Sequence, residues 1–440
     1  HFPYRIYVAQ QDNSTLRIAH RTTGSHISED DWEETAGGES AHIAVDPKDA
    51  DIVYGGSYGG FLTRHNHRTK SVRGINVWPD NPMGHGAEGF KYRFQWNFPI
   101  FFSRHNPNRL YAASNHLHVT EDQGQTWKLV SPDLTRNEKE KLGPSGGPIT
   151  KDNTGVEYYA TIFAVNESPL KQGLIWAATD DGRIHLTQDG GTNWSEVTSP
   201  QMPRYLMFNS VEPSRHDPAV CYVAGTMYKS GDYLPYLYKT SDYGKTWKKI
   251  VKGIPDEYFT RVVREDEFVQ GLLYAGTEKG MFISFDDGEN WLSMQKNLPI
   301  VPVTDLAVKG NNLIAATQGR SLWMIDDLTV IHQAIKMEGH SGPVLFTPEN
   351  AFRIGGNQGR TSLLEGTNHP GGVVCHFYLP EYDSKKDTVS LTFLTASGDT
   401  IRTYSNAARE DENKLKPNKG GNVFSWSMHY PAAKKFDGMV

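Results

Sequence analysis

The sequence predicts an all-β protein in which a β-propeller of about seven blades is followed by a partial β-sandwich. Three observations support that fold class. An eight-residue pattern occurs four times, an apolar strand motif occurs seven times, and the last part of the chain alternates apolar and polar residues. The eight-residue pattern is Ser/Thr-x-Asp-x-Gly-x-Thr/Asn-Trp. Its four copies, the boxes, are TEDQGQTW (120–127), TQDGGTNW (187–194), TSDYGKTW (240–247) and SFDDGENW (284–291).

Each box is predicted to be a rigid turn between two strands. The first hydroxyl and the Asp carboxylate can accept hydrogen bonds from backbone N–H groups inside the turn. The Gly takes backbone angles that other residues resist, and the Trp begins the next strand. We therefore expect these carboxylates to be structural rather than catalytic: Asp122, Asp189, Asp242 and Asp286.

An apolar strand that runs into small residues, such as GLLYAGT (271–277), precedes each box. Three further copies without a clean box bring the number to seven. One large marker residue identifies each copy: Tyr7, Tyr54, Tyr111, Trp176, Tyr222, Tyr274 and Ile314. Strand-rich units that recur every ~40–50 residues are typical of propeller blades. The strand-like alternation and the Gly-rich turns argue against helical repeats.

The boxes resemble Asp-box repeats, also called BNR repeats, which occur in sialidases, oligoxyloglucan-type glycosidases and sortilin-type receptors. Segments such as NVWPDNPMGHGAE (76–88) and SPDLTRN (131–137) are similar to large secreted bacterial proteins of a glycosyl hydrolase-like or sortilin N-terminal-like group. Those proteins are longer, so the resemblance implies that this chain is part of a longer protein and its blades part of a larger ring. It also implies a secreted or cell-surface location in a bacterium.

Composition limits the partners. The 440 residues carry a net charge of −6 without a basic cluster, which argues against nucleic acid and anionic membranes. No apolar run reaches the ~18 residues needed to span a bilayer. Cys221 and Cys375 form neither a metal-binding spacing nor a disulfide framework, and no phosphate loop or serine-nucleophile elbow is present. The sequence therefore predicts no cofactor and no metal site.

Two marker intervals are longer than the rest, and their extra residues are the candidates for a working surface. Residues 77–98 (the first insertion) and 131–159 (the second insertion) belong to neighbouring blades. Their loops can therefore meet, on the face of the ring away from the boxes. The candidate catalytic carboxylates are Asp80, Glu88, Asp152 and Glu157. The candidate ligand-binding residues are Trp78, His85, Tyr92, Trp96, Tyr158 and Tyr159. Carboxylates beside aromatic rings suit a sugar site, but any long polar loop also contains solvated carboxylates.

The pattern changes after the last copy of the strand motif. Residues 1–330 are predicted to form the propeller and the Gly/Pro-rich residues 331–371 a linker. Residues 372–440 alternate apolar and polar at period two. They resemble part of the small immunoglobulin-like β-sandwich found in secreted bacterial proteins, although a complete sandwich needs ~100 residues.

The sequence leaves two functions open, and they differ in whether the chain is an enzyme. The first is an extracytoplasmic binding scaffold for a peptide, protein or glycan, which includes the role of subunit in a surface assembly. The alternative is a glycoside hydrolase that acts on a polysaccharide through a pair of Asp or Glu carboxylates ~5–10 Å apart. A sialidase is rejected because none of the arginines lies in the Arg-Ile-Pro context of that family.

Overall fold

The computed structural model describes residues 2–80, 86–144, 146–151, 158–337, 339–352, 362 and 364–431. These residues form strands almost throughout, which confirms the all-β prediction. Seven antiparallel sheets follow one another along the chain, and each contains one marker residue of the repeated strand motif. The seven copies predicted from the sequence are therefore seven blades of a β-propeller.

The first and the seventh sheets have three strands each, and the other five have four. The first sheet consists of β1 (Arg5–Ala9), β2 (Thr15–Ala19) and β3 (Trp32–Glu34). The second consists of β4 (Ile43–Val45), β5 (Ile52–Ser57), β6 (Phe61–Asn66) and β7 (Ser71–Gly74). The third consists of β8 (Ile100–Phe102), β9 (Leu110–Ala113), β10 (Leu117–Thr120) and β11 (Lys128–Leu129).

The remaining four sheets repeat this plan. The fourth consists of β12 (Ile162–Glu167), β13 (Ile175–Thr179), β14 (Ile184–Thr187) and β15 (Ser195–Glu196). The fifth consists of β16 (Met207–Pro213), β17 (Cys221–Met227), β18 (Asp232–Thr240) and β19 (Lys248–Lys249). The sixth consists of β20 (Thr260–Glu265), β21 (Leu273–Thr277), β22 (Gly280–Ser284) and β23 (Leu292–Ser293). The seventh consists of β24 (Val303–Lys309), β25 (Asn312–Thr317) and β26 (Leu322–Ile325).

The order of strands in a sheet decides where the loops lie. In each four-stranded sheet the strands are antiparallel and lie side by side in chain order, so they are called a, b, c and d. Strands a of the fourth to seventh sheets pack against one another in sequence, as the inner strands of a propeller do. The boxes form the c-to-d turns, and the two insertions connect strand d to strand a of the next sheet. Because neighbouring strands run in opposite directions, these two kinds of connection leave at opposite ends of the strands.

The apolar cores lie between consecutive sheets. Trp176 of β13 is fully buried and packs with Val211 and Val223 of the following sheet. Tyr222 of β17 packs in the same way with Leu273 of the sheet after that. Strands β13 and β21 are buried along their whole length. Both faces of these b strands are covered, so their sequences are continuous apolar runs rather than alternating ones.

The chain forms two compact units. One, Arg5–Ile18 with Trp32–Ile325, contains the propeller. The other is formed by the described parts of His1–Tyr4, Ala19–Asp31 and Asp326–Val440. The second unit contains α1 (Thr329–Ile335), β27 (Val344–Leu345), β28 (Val373–Leu379), β29 (Ser390–Leu394), β30 (Thr400–Ser405) and β31 (Gly420–Trp426).

The second unit contains two small sheets that share one core. One sheet has the order β27, β28, β31 and the other pairs β29 with β30. Phe377, Leu379, Leu391, Tyr404 and Leu415 form the core between them, as in a partial β-sandwich. Strand β27 and most of α1 lie in residues 331–371, the predicted linker, so that stretch contributes regular structure as well as connection.

Several short 3-10 helices lie between the strands. The 3-10 helices are Glu29–Asp31, Tyr58–Gly60, Ala87–Gly89, Lys139–Lys141, Tyr228–Ser230 and Asp411–Asn413. Cys221 and Cys375 are both free and buried. Within the described residues, no helix is long and apolar enough to span a membrane.

Candidate functional site

Each box is a turn whose Asp carboxylate is used by the turn itself. In the box 240–247, Asp242 accepts the backbone N–H of Thr246 at 2.9 Å and its hydroxyl at 2.6 Å. The Thr240 hydroxyl donates to Asp242 at 2.8 Å and accepts the N–H of Gly244 at 2.9 Å. The bonds from Thr246 lower the pKa of Asp242. The other three boxes have the same bonding pattern, with Asn in place of the second Thr in two of them.

The Trp of each box joins its blade to the preceding one. Its indole N–H donates to a backbone carbonyl just after strand d of the preceding sheet. The four bonds are Trp127 to Ile75 at 3.0 Å, Trp194 to Val130 at 2.9 Å, Trp247 to Val197 at 2.8 Å and Trp291 to Ile250 at 2.8 Å. The last three acceptors each lie three residues after the preceding box Trp. The boxes therefore hold consecutive blades together.

The two insertions meet at the other ends of the strands. The backbone N–H of Glu88 in the first insertion donates to the carbonyl of Leu142 in the second at 2.9 Å. The amide of Gln95 donates to the carbonyl of Tyr158 at 2.9 Å. Ala87, Leu142 and Tyr158 share a small apolar cluster. The sequence-based expectation that the two insertions lie together agrees with this geometry.

A small depression, with a volume of about 10 Å³, lies at this junction. The aromatic depression is lined by Gly59, Trp78, Asp80, Phe90, Tyr92, Phe94 and Tyr158. Trp78 is 40% exposed and meets Tyr92 edge to face, with ring centroids 6.1 Å apart. The Lys91 ammonium lies 3.6 Å from the centre of the Trp78 ring. The depression thus combines exposed aromatic surface with one cation and one carboxylate, Asp80.

The predicted site residues do not all share this depression. Trp78, Asp80, Tyr92 and Tyr158 line it. Glu88 is exposed and Trp96 is half-buried, and neither is among the lining residues. Tyr159 packs beside the apolar cluster, and burial raises its pKa to about 12. The three remaining predicted residues, His85, Asp152 and Glu157, lie outside the described residues.

A buried polar network lies beneath the insertions and was not predicted from the sequence. Arg93 donates to the carbonyl of Ala160 at 3.0 Å, to Asp133 at 2.9 Å and to the Thr135 hydroxyl at 3.0 Å. The backbone N–H of Arg93 donates to the side-chain oxygen of Asn115 at 2.9 Å. Burial raises the pKa of Asp133, but hydrogen bonds from Thr135 and Asn115 and the charge of Arg93 outweigh it, so the pKa is lowered.

Asp180 is the carboxyl with the most unusual titration at this junction. It lies in the b-to-c turn of the fourth sheet and is 6% exposed. It accepts the N–H of Thr161 at 2.8 Å, the Thr161 hydroxyl at 2.9 Å and the Gln95 amide at 3.2 Å. Burial raises its pKa to about 7; the neighbouring Asp181 adds to this rise and the Thr161 bonds oppose it. Burial therefore favours the protonated form of Asp180.

The sequence gives little signal for Asp180. The motif TDDG (179–182) places two carboxylates directly after strand b, but the sixth sheet also has charged residues there, Glu278 and Lys279. Gln95, the partner of Asp180, is far away in the sequence, so the network itself cannot be seen in the motif. Among the described residues, no three His, Cys, Asp or Glu side chains are grouped to hold a metal ion.

A larger cavity, of about 290 Å³, lies at the box ends of the second and third sheets. Its lining includes Lys48, Tyr54, Glu121 and Asp122. Both oxygens of Asp122 already accept hydrogen bonds from Thr126 within the turn. The cavity therefore has fewer free polar groups than its composition suggests.

Comparison with known proteins gives a fold but not a family. No family model matches the chain, and no curated protein sequence matches it. The GH74 xyloglucanase of Xanthomonas campestris is similar in structure, with a TM-score of 0.51 and 17% sequence identity over 74% of this chain and 50% of that one. The GH74 enzyme of Niastella koreensis has a TM-score of 0.50 and 14% identity over 85% of this chain and 56% of that one.

A third structure, YCF48 bound to D1 peptide, has 15% identity and a TM-score of 0.44, over 74% of this chain and 82% of that one. The chain spans about half the length of the two GH74 structures. At these identities the GH74 likeness shows the β-propeller fold alone, and the YCF48 likeness is too distant to carry an argument.

Proposed function

We propose that this chain is a binding scaffold whose ligand, a glycan or an extended peptide, lies on the aromatic depression between the two insertions. The observation that carries this proposal is the exposed Trp78 ring, set at right angles to Tyr92 and beside Asp80 and Lys91. Ligand sites are usually concave, with aromatic walls and a few polar groups that fix orientation.

The polar network beneath the depression supports the proposal because it fixes the position of the insertions. Gln95 bonds at once to the second insertion, through Tyr158, and to the fourth sheet, through Asp180. Arg93 ties the first insertion to Ala160 and Asp133. A surface whose backbone is already ordered loses less conformational entropy when it binds a ligand. The network thus suits a preformed site.

The charges of the depression restrict the ligand. Lys91 covers one face of Trp78, so a ligand must use the remaining exposed part of the ring or displace the ammonium. A sugar ring can stack on the indole while its hydroxyls bond to Asp80 and Lys91. An extended peptide can place an apolar side chain in the same position. Glycans are the first ligand class to test, and peptides the second.

The test is to replace Trp78 by Ala and measure binding to arrays of oligosaccharides and peptides, followed by calorimetry with the strongest ligand. Trp32→Ala is the matched control, because Trp32 is 41% exposed but lies on β3, outside the depression. We expect the affinity to fall at least about tenfold for Trp78→Ala and to stay unchanged for Trp32→Ala. Equal affinities for all three proteins would refute the site.

A glycoside hydrolase is the second candidate, and Asp180 is the observation that favours it. A general acid that acts near neutral pH needs a raised pKa, and burial gives Asp180 a pKa of about 7. Its carboxyl is nearly enclosed and already accepts three hydrogen bonds, which favours a role in holding Gln95. If the chain hydrolyses any oligosaccharide that it binds, Asp180→Asn should abolish turnover and leave binding intact. Binding without turnover in the unaltered protein supports the scaffold.

We also propose that the protein acts outside the cytoplasm, alone or as part of a larger assembly. A scaffold that displays glycan- or peptide-binding loops fits a secreted or cell-surface protein, including one subunit of a surface complex. Cell fractionation with an antibody to the chain, followed by cross-linking on intact cells, tests both points. Recovery only from the cytosol would exclude the extracytoplasmic role.

A further inference from the structure

The larger cavity, of about 290 Å³ at the box ends of the second and third sheets, is lined by two buried polar side chains. Asp46 comes directly after β4, and Tyr54 is the marker residue of β5. Asp46 is 5% exposed and Tyr54 is 1% exposed. Polar groups that are buried to this extent nearly always have hydrogen-bond partners. The partners of these two groups therefore indicate what the cavity can hold.

Asp46 uses only one of its two carboxylate oxygens. That oxygen accepts the backbone N–H of Lys48 at 2.9 Å, within the turn that follows β4. No described residue donates to the second oxygen. The second oxygen is not sealed inside the protein, so it contacts the open space of the cavity. It is therefore an acceptor that an occupant of the cavity can use.

Tyr54 has a donor without an acceptor. Its hydroxyl lies near the guanidinium of Arg64, and a guanidinium donates hydrogen bonds but cannot accept them. Among the described residues, no carboxylate or carbonyl accepts a hydrogen bond from this hydroxyl. The Tyr54 O–H can therefore donate to an occupant of the cavity.

The sixth sheet contains the same pair in a closed form. Asp266 directly follows strand a and Tyr274 lies on strand b, at the same spacing as Asp46 and Tyr54. There the Tyr274 hydroxyl donates to Asp266 at 3.0 Å, while the other Asp266 oxygen accepts the N–H of Phe268 at 2.8 Å. The second sheet keeps the turn bond but lacks the direct bond, and the cavity lies beside the pair. A group that accepts from Tyr54 and donates to Asp46 would complete the arrangement, and a hydroxyl does both.

The other polar groups of the lining are occupied, and their charges favour a neutral ligand. Glu121 accepts two hydrogen bonds from Arg109, at 2.7 and 2.9 Å. Both oxygens of Asp122 serve the box turn. These carboxylates and Asp46 repel an anion, whereas Lys48 on the same lining repels a cation. A neutral ligand with hydroxyl groups avoids both costs.

We propose that this cavity binds one neutral sugar unit through a hydroxyl that bridges Tyr54 and Asp46. Phe102 and Leu110 supply apolar lining, and the Phe102 ring meets Tyr54 edge to face with centroids 5.3 Å apart. A sugar ring combines hydroxyls with an apolar C–H face, so it matches both kinds of lining. The volume is near the lower end of the ~300–1,000 Å³ of ligand sites, which suits one ring. This site lies at the opposite strand ends from the aromatic depression and does not depend on the function proposed for it.

The experiment uses saturation-transfer NMR with the methyl glycosides of glucose, galactose, mannose and xylose as probes, and the dissociation constant as the readout. We expect at least one probe to bind saturably. Asp46→Asn keeps the acceptor for the turn but replaces the free oxygen by an N–H donor, so the affinity should fall at least about tenfold. Tyr54→Phe keeps the ring but removes the donor, so the affinity should fall about two- to tenfold.

Asp217→Asn is the matched control. Asp217 makes the same kind of turn bond, to the N–H of Ala219 at 2.8 Å, but does not line the cavity. This variant and Trp78→Ala should leave the affinity unchanged. Binding that is lost with Trp78→Ala and kept with Asp46→Asn would overturn the proposal, because the sugar would then lie in the depression. The absence of saturable binding by all four probes, equal binding of glycerol, or tighter binding of glucosamine would also overturn it, since these results indicate water, any polyol or a cation in the cavity.

Discussion

Trp291→Phe should destabilise the propeller more than Trp323→Phe does. The Trp291 indole bond joins two blades, whereas the Trp323 indole bond lies within one blade. The Trp291 N–H donates to the carbonyl of Ile250 in the preceding blade at 2.8 Å, and both residues are buried. Phe keeps most of the ring but removes the donor. Removing the donor leaves the buried Ile250 carbonyl unpaired, which costs about 1–3 kcal/mol. We expect the free energy of unfolding to fall by about 1–3 kcal/mol.

The assay is urea denaturation followed by circular dichroism, and the chain supplies its own control. Trp323 also donates its indole N–H to a carbonyl, that of Arg320 at 2.8 Å, but the bond lies within one hairpin and is exposed. Trp323→Phe should therefore cost about 1 kcal/mol or less, because water replaces the lost donor. Equal losses in the two variants would refute the idea that the box Trp residues hold the blades together.

Two further predictions concern carboxylates. Asp242→Ala should lower the free energy of unfolding by about 1 kcal/mol, the usual effect of losing such a cap. It should not change ligand binding, because the turn of Asp242 lies at the opposite ends of the strands from the depression. Lost binding with unchanged urea denaturation would contradict this. The pKa of Asp180 is raised to about 7 in the folded protein, so the folded state holds a proton that the unfolded chain releases near pH ~4. Its contribution to stability is therefore lost as pH rises from about 4 to 7. Asp180→Asn should flatten that part of the stability profile in urea denaturation at a series of pH values, and a profile unchanged from the original protein would show that Asp180 titrates normally.

The sequence was most informative where a few adjacent residues determine their own structure. The bonds of Asp242 run to Thr240 and Thr246, so the eight residues of the box contain the whole turn. The marker residues identified the blades because strand b is covered on both faces and must be apolar throughout. The lengths of the intervals located the two insertions, since added residues must leave through a loop.

The site was less predictable because its contacts join distant parts of the chain. Gln95 and Arg93 both precede the third sheet in the sequence. Their hydrogen-bond acceptors follow that sheet: Asp180 for Gln95, and Asp133 and Ala160 for Arg93. A carboxylate in a loop looks the same in a sequence whether it is solvated, as Glu88 is, or enclosed, as Asp180 is.

The spacing of the indole bonds has a consequence for how such a ring can grow. Each of the third to fifth sheets carries a donor, its box Trp, and an acceptor three residues later: Trp127 with Val130, Trp194 with Val197, and Trp247 with Ile250. A duplicated gene segment that encodes one such sheet would therefore bring both halves of the joint with it. The Trp of the copied blade could donate its N–H to the blade before it, and the copied carbonyl could accept the Trp N–H of the blade after it. No new kind of contact would be needed. Insertions such as the two described above could then accumulate in single blades while the joints stayed the same.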